Sequence, residues 1–435
     1  MAQIRPFRAF YYNRELAEDL AAVICPPYDI ITNRMQEELY RRSPYNFIRI
    51  ENNSQLPQDS ETDNRYTRSA AMLERWLNQR VLVEDDKAAI YVHDHYFTSQ
   101  GKEYKRRGLI VRVRLEDWHK NIVRPHEGTL AGAKKDRVTL LGALKANTSP
   151  IMTMYEDDNK EISSILEEQQ PGQVLFSLKG EGGERHEVWR ISRPEAVEKI
   201  CKSFEEKPLY IADGHHRYES ALNYRNEQKA ASARTTGEEP FNFVMMTLMD
   251  FNDSGLLILP PHRLLRGLTP AKLNTLDEKL NSFFSVERLP LDKPGVWKKV
   301  DAVMADESNI SLVLFGLDKA NIMLLTLRDK AAAGSMMPQF HSEIYKSLDV
   351  SVVDHVILEE LLGLSSEDNV AIAYNYDRQD AIEQVSDDEY QLAFIVSPVK
   401  SKTIKAIADA GDRMPRKSTY FYPKLPSGLL LNRLV

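Results

Sequence analysis

The chain has 435 residues, 42% hydrophobic and 28% charged, a composition suited to a globular protein of two or three domains. Its formal net charge of −7 lacks the basic excess on which phosphate-backbone binding depends, so nucleic acid is not an expected partner. The opening MAQIRPFRAFYYNRELAEDL has no apolar core of signal-peptide length, and no apolar run approaches the ~18 residues that span a bilayer, so no membrane partner and a cytoplasmic location are expected.

Between residues 13 and 80 the pattern is mainly helical: RELAEDLAAVI before Pro26-Pro27, RMQEELYRR before Pro44, and TRSAAMLERWLNQRVL with apolar spacings of three and four. NFIRIE, residues 46–51, reads as an extended segment on which Arg49 and Glu51 share a face and pair. The period then changes to two. AAIYVHDHYFT and RRGLIVRVRLEDW, joined by Ser99-Gln100-Gly101-Lys102, predict an antiparallel hairpin, and VLFSL, EVWRI and LYIA predict further strands. The polar run from Asn226 to Pro240 predicts a loop or domain boundary. After it, FNFVMMTLMD, ISLVLFGL, NIMLLTL, VAIAYN and QLAFIVS alternate with helical stretches such as VSVVDHVILEELLG and SKTIKAIADAG, predicting a second mixed α/β layer structure. The expected domains are therefore 1–235 and 236–435, the latter with a C-terminal segment that completes the site. Cys25 and Cys201 form no C-x-x-C pair and read as reduced thiols rather than a disulfide or thiolate zinc site.

In KPLYIADGHHRYESALNYR an apolar strand ends in Asp213, Gly214, His215, His216 and Arg217, and Tyr218 onward reads as a helix. A Gly-led turn at a helix start presents unpaired N–H groups and a positive dipole end, which suits a phosphate or carboxylate. Arg217 supplies a bidentate clamp, the two imidazoles donate to or accept from an anion, and Asp213 holds a divalent cation, orients a histidine or takes a proton. A structural alternative has Asp213 capping the helix, the histidines bonded to nearby backbone and Arg217 paired with a carboxylate.

This turn resembles the signature of the ParB/sulfiredoxin superfamily, G-E-R-R-Y-R-A or G-C-H-R-Y-E-A. Gly214, Arg217, Tyr218 and Glu219 match, with Ala221 one place late. The resemblance implies a turn and helix that bind nucleotide phosphates, as in the branch of free-serine kinases that use a nucleoside diphosphate and carry a D-G-H turn. His215 stands where sulfiredoxin requires a reactive cysteine, which excludes that chemistry. On a larger scale PPYDIIT, NFIRIE, RPHEGT, SPIMTMY, IADGHHRYESALNY, LILPPHRLL and MPRKSTYFYPKLPSGLL, in this order, are similar to the prokaryotic family known as domain of unknown function 1015. Its members are often encoded near serine-biosynthesis enzymes.

Four further stretches are candidates for chemistry. In RPHEGTLAGAKKDR, Glu127 is the candidate general base for a substrate hydroxyl, with Arg124 and His126 binding substrate; Glu127 equally fits a favourable first helical turn, and Lys134, Lys135 and Arg137 a solvated face. In DRMPRKSTYFYPKLPSG, Arg416, Lys417, Ser418 and Thr419 are phosphate-binding candidates and Tyr420, Phe421 and Tyr422 pack a base, although such a run also anchors a terminal strand. Tyr28 and Asp29 are substrate-binding candidates in CPPYDIIT. HDH places His93 and His95 on one strand face, a metal-ligand spacing that needs a third ligand, with His126 or a motif histidine as candidates and a structural pair as the preferred reading.

The expected fold is α+β, a ParB/sulfiredoxin-like nucleotide-binding core with added helices and a second mixed α/β domain. The expected function is a nucleotide-dependent kinase acting on serine or a similar small polar metabolite, with Asp213, His215, His216 and Glu127 catalytic, Gly214 and Arg217 on the phosphates, and Mg²⁺ on Asp213 with ADP or ATP. The alternatives are a nucleotide-binding regulatory switch and a metal-dependent hydrolase.

Overall fold

A computed structural model describes residues 2–128, 131–169, 172–232, 234–368 and 370–435, without the side chains of residues 131–134 and 181. The fold is α+β, with helices and strands mixed along the chain. It divides into two compact units. The first runs to Pro125, resumes after Gly128 as far as Leu257, and takes in Pro423–Val435; the second comprises His126–Gly128 and Ile258–Tyr422.

The first unit is built on a mixed sheet, nine-stranded among the described residues. Its path runs Val123–Arg124, Leu209–Asp213, Ile151–Tyr155, Phe243–Asp250, Lys102–Arg114, Ile90–Ser99, Arg185–Ile191, Gln173–Lys179, with Ile4–Arg5 beside Lys102–Arg114. The expected hairpin is present: Ile90–Ser99 pairs antiparallel with Lys102–Arg114, and Gln100 and Gly101 turn the chain with φ of 48° and 74°. Alternation explains how both faces are covered. Ile90, Val92, Leu109 and Val111 enter one apolar cluster with Tyr218 and Leu222, while Tyr91 and Ile110 enter another with Leu73 and Trp76.

Several expectations change here. FNFVMMTLMD, expected after a domain boundary, forms Phe243–Asp250 in the middle of this first sheet, between Ile151–Tyr155 and Lys102–Arg114. Its continuous apolar run fits a strand buried on both faces wherever such a sheet exists, and composition does not say which sheet. The polar stretch after Asn226 begins as helix, since His215–Ala231 is unbroken to Ala231; Ala233 in that stretch lies outside the described residues. RELAEDLAAVI yields a single turn, Leu20–Val23, capped by Asp19. NFIRIE is a helical turn, Ile48–Glu51, and not extended: Arg49 bonds to the Tyr40 carbonyl at 2.8 Å, and Glu51 faces Arg137 instead of Arg49.

The second unit carries an antiparallel six-stranded sheet, counted among the described residues, in the order Phe284–Pro290, Asn321–Leu327, Ser311–Phe315, Leu392–Ile395, His262–Leu265, Ile372–Asn375. These are the strands expected from ISLVLFGL, NIMLLTL, VAIAYN and QLAFIVS, joined by two that the patterning did not single out. Among the described residues no helix is long and apolar enough to cross a membrane.

One loop of the first unit grips a central strand. Asp253 accepts from the Arg107 amide at 2.9 Å, and a Cβ on Gly255 would lie 2.7 Å from the Arg106 nitrogen, against backbone that cannot yield. Gly255→Ala is therefore expected to cost about 1–3 kcal/mol, read as a lowered urea midpoint with unchanged slope.

Candidate functional site

Strand Leu209–Asp213 lies one place from the sheet edge, parallel to Val123–Arg124 and antiparallel to Ile151–Tyr155. Its register with Ile151–Tyr155 shifts between Ile211 and Asp213, a bulge that re-aims the last side chain. Gly214 follows with φ 95° and ψ 28°, a left-handed conformation that costs other residues strain. Helix His215–Ala231 begins at once, so His215, His216 and Arg217 form its first turn, three residues earlier than its apolar pattern indicates.

Asp213 is the hub of this turn. One carboxylate oxygen accepts from Arg217 at 2.7 Å and the other from Lys424. The three side chains are only 19%, 15% and 10% exposed. Burial pushes the Asp213 carboxyl up, but Lys424 and then Arg217 outweigh it and hold the group well below the usual carboxylate range. The other arm of Arg217 donates to Ser149 Oγ at 2.9 Å and to the Pro150 carbonyl at 2.7 Å. Its Nε is buried without a hydrogen-bond partner among the described residues, and a Cβ on Gly214 would come within 2.9 Å of it. Gly214 thus leaves the room that this guanidinium edge occupies, where a Cβ would collide with it.

Tyr28 and Asp29 belong to the same group. Asp29 lies 3.9 Å from Lys424. The Arg137 guanidinium stands 3.9 Å over the Tyr28 ring, and burial raises the phenol to about 12, so it stays neutral and can only donate or accept a hydrogen bond. Behind the turn is a cavity of ≈ 40 Å³ lined by Glu51, Arg137, Ser149, Arg217 and apolar neighbours. Ligand pockets run to ~300 Å³ or more, so this cavity suits ordered water.

A Mg²⁺ ion on Asp213 meets an obstacle, because both oxygens already carry a cation. The residues present do not fit a resident divalent ion there unless Lys424 or Arg217 leaves.

Arg124, also in the first unit, donates to the Asn121 carbonyl at 3.0 Å and to Tyr210 Oη at 2.9 Å. The remaining candidates fall in the second unit. Glu127 Oε1 accepts from the Ser418 amide at 3.2 Å, the Thr419 amide at 3.0 Å and Thr419 Oγ1 at 2.8 Å. Ser418 Oγ donates to the Pro415 carbonyl at 2.6 Å, and buried His126 pairs through Nε2 with Thr419 Oγ1 at 3.0 Å. These contacts make His126, Glu127, Ser418 and Thr419 a mutual clasp. Arg416 is 3.9 Å from Glu367, and exposed Lys417 takes a left-handed φ of 55°. The side chain of Lys134 lies outside the described residues.

Sequence reasoning did not single out Lys424 or Ser149 for this site. Lys424 follows a proline in YPKLPSG, a spacing without a period, and only the fold brings it to Asp213. It also did not find the partners of His93 and His95. These are His186, directly opposite His95 on Arg185–Ile191, and Glu184; His126, a candidate third ligand, bonds to Thr419 instead.

Asp213→Asn is expected to lower stability at neutral pH by about 3 kcal/mol, the low end of what breaking a buried pair costs. The folded carboxyl is depressed below its ordinary 3.8, so its contribution is complete above that value and is lost as pH falls through the folded value. The difference between wild type and variant in thermal unfolding should accordingly shrink as acid is added below 3.8. In the second unit, Glu127→Ala leaves the Ser418 and Thr419 amides without their acceptor, at about 1–3 kcal/mol each, and chemical denaturation should register the loss.

No curated protein matches the chain. Among solved structures it is similar to one described as free serine kinase in complex with AMP, at 14% identity over 74% of this chain and 92% of that one, with a TM-score of 0.35. It is similar also to a conserved hypothetical protein from Pyrococcus furiosus, at 12% identity over 75% and 95% of the two chains with a TM-score of 0.35. A third is C-terminally truncated SbnI from Staphylococcus aureus, at 11% identity over 74% and 87% with a TM-score of 0.36. A family model matches residues 4–351, and the chain belongs to that family, described as protein of unknown function (DUF1015).

Proposed function

We propose that this protein is a nucleotide-dependent kinase that transfers a phosphoryl group from ADP or ATP to a hydroxyl of serine or a similar small polar metabolite. The observation that carries the reading is the pair of cations, Lys424 and Arg217, held on Asp213 at the start of a helix whose first turn follows Gly214. A nucleotide phosphate has several anionic oxygens, which suit two cations and the N–H groups of a helix start.

In this scheme the phosphates draw Lys424 and Arg217 from Asp213. Magnesium would be carried by the nucleotide, where it would neutralise phosphate charge, and would not be a resident ligand of Asp213. The attacking hydroxyl oxygen forms a bond to the terminal phosphorus while the bond to the bridging oxygen breaks, and the shorter nucleotide leaves. Asp213, relieved of its cations, regains proton affinity and receives the hydroxyl proton. Glu127, expected as the base, gives Oε1 to three donors of residues 418 and 419, so Asp213 fills that role here. His215 and His216 orient the anion from the first helical turn, and Tyr28 and Asp29 face the acceptor.

The test incubates the full chain with ADP or ATP, Mg²⁺ and a polar metabolite pool containing serine, and follows products by mass spectrometry. A phosphorylated metabolite should form. Lys424→Met and Arg217→Met should each raise the KM for nucleotide by roughly 10- to 100-fold, the equivalent of a charge-assisted hydrogen bond. Asp213→Ala should abolish turnover. If neither nucleotide binds, or if turnover survives in Asp213→Ala, the reading fails.

A further inference from the structure

On the first unit's sheet, away from the elements that carry the turn, three histidines and a glutamate meet. His93 and His95 project from one face of Ile90–Ser99, and His186 lies opposite His95 on Arg185–Ile191, with the His95 and His186 rings stacked at 4.1 Å. The three histidines are 2%, 1% and 2% exposed. Glu184, with a side chain 30% exposed, reaches over them: one oxygen lies 2.9 Å from His95 Nε2 and 3.7 Å from His186 Nε2. Four ionisable side chains are more than a sheet face needs, since an apolar ladder there would pack without desolvating polar groups.

We infer that His95, His186 and Glu184 form a binding site for a borderline first-row divalent cation such as Zn²⁺, held by two imidazole nitrogens and one carboxylate. Each residue offers a ligand atom, and these atoms all lie within 4.8 Å of one another. Tetrahedral zinc with bonds near 2.0 to 2.1 Å keeps its ligands roughly 3.3 Å apart, which the 2.9 and 3.7 Å separations bracket. The set is the nitrogen and oxygen mixture that zinc accepts, with no thiolate in it, and two histidines plus a carboxylate leave a fourth position for water.

The surroundings supply an orienting partner. His93 Nε2 lies 3.0 Å from His186 Nδ1. When His186 donates from Nδ1 to His93, its Nε2 lone pair faces the Glu184 carboxylate across 3.7 Å, an acceptor facing an acceptor, and a cation between them resolves the repulsion.

One group opposes the site. Arg106 donates to His95 Nδ1 at 3.2 Å and to the Pro423 carbonyl at 2.7 Å, which places the His95 proton on Nε2, pointing at Glu184. Metal binding at that nitrogen must move this proton to Nδ1, and the N–H formed there must then find an acceptor in place of Arg106. Zinc uptake should therefore displace one bond of Arg106 while its bond to Pro423 persists.

The experiment uses the full chain stripped with chelator, then titrated with Zn²⁺ by calorimetry and with Co²⁺ by absorption. Expected are one equivalent of bound Zn²⁺ and the intense visible bands of four-coordinate Co²⁺. Glu184→Gln and His186→Gln should each abolish saturable binding, and His93→Asn, which removes only the orienting partner, should weaken it about 10- to 100-fold. Near-ultraviolet circular dichroism establishes that each variant is folded. The wild-type spectrum decides independently of the variants. Absence of four-coordinate Co²⁺ bands, or Zn²⁺ binding unchanged in a folded Glu184→Gln, overturns the site.

Discussion

The carboxylate of Asp213, shared between Lys424 and Arg217, is the contact on which the arrangement around the turn depends. Removing that group from water is unfavourable by itself, and burial pushes its proton affinity up; the two cations reverse the sign. One of them comes from the same turn, four residues along the helix, and so is available as soon as the helix forms. The other lies 211 residues away and arrives only when the C-terminal segment returns. That segment is tied down at several points: Ser427 pairs with Cys25, Leu431 with Phe10, and Asn432 and Arg433 with Asn147 and Ala146. The electrostatic condition at Asp213 and the docking of the C-terminus are therefore one requirement, and the return of the chain into the first unit supplies the second cation.

What was legible in the sequence is what depends on near neighbours. The hairpin of residues 90–114 could be read because two alternating runs flank a short polar turn, and the Asp213 turn because an apolar strand, a glycine and a helix follow in sequence. Arg217 could be assigned because it shares that turn with Asp213. Lys424 could not, since the neighbouring Arg416 and Lys417 look more basic and nothing local indicates which cation the fold will bring to the carboxylate. Short elements were misread for a related reason: residues 48–51 are a single helical turn, too short for either period to establish itself. Phe243–Asp250 was recognised as a strand but given to the wrong layer, because a run buried on both faces looks the same in any sheet.

The histidines show the same boundary between local and distant information. Spacing alone puts His93 and His95 on one face, and the structure stacks them at 5.7 Å. Their partners depend on register. His186 opposes His95 and Val188 opposes His93, so a shift of one residue would turn His186 to the other face and separate the cluster. The alternation E-R-H-E in residues 184–187 was the available signal: it places Glu184 and His186 on a common face, two residues apart as in HDH. Recognising the match required knowing that these strands are neighbours, and sequence separation hides that.

Arg106 ties the two regions of the first unit together. Its guanidinium holds the Pro423 carbonyl, the residue before Lys424, and touches His95. The charge of Asp213 acts on Arg106 as well, alongside Asp253 and Glu184. A buried guanidinium has five N–H donors in a fixed plane and cannot satisfy a changed neighbour by rotating one of them alone. Any event that puts a proton on His95 Nδ1 converts that contact from donor against acceptor to donor against donor, and the guanidinium must shift as a unit. The same plane bonds the carbonyl that precedes Lys424, so His95 and the backbone from which Lys424 reaches Asp213 are neighbours of one rigid group.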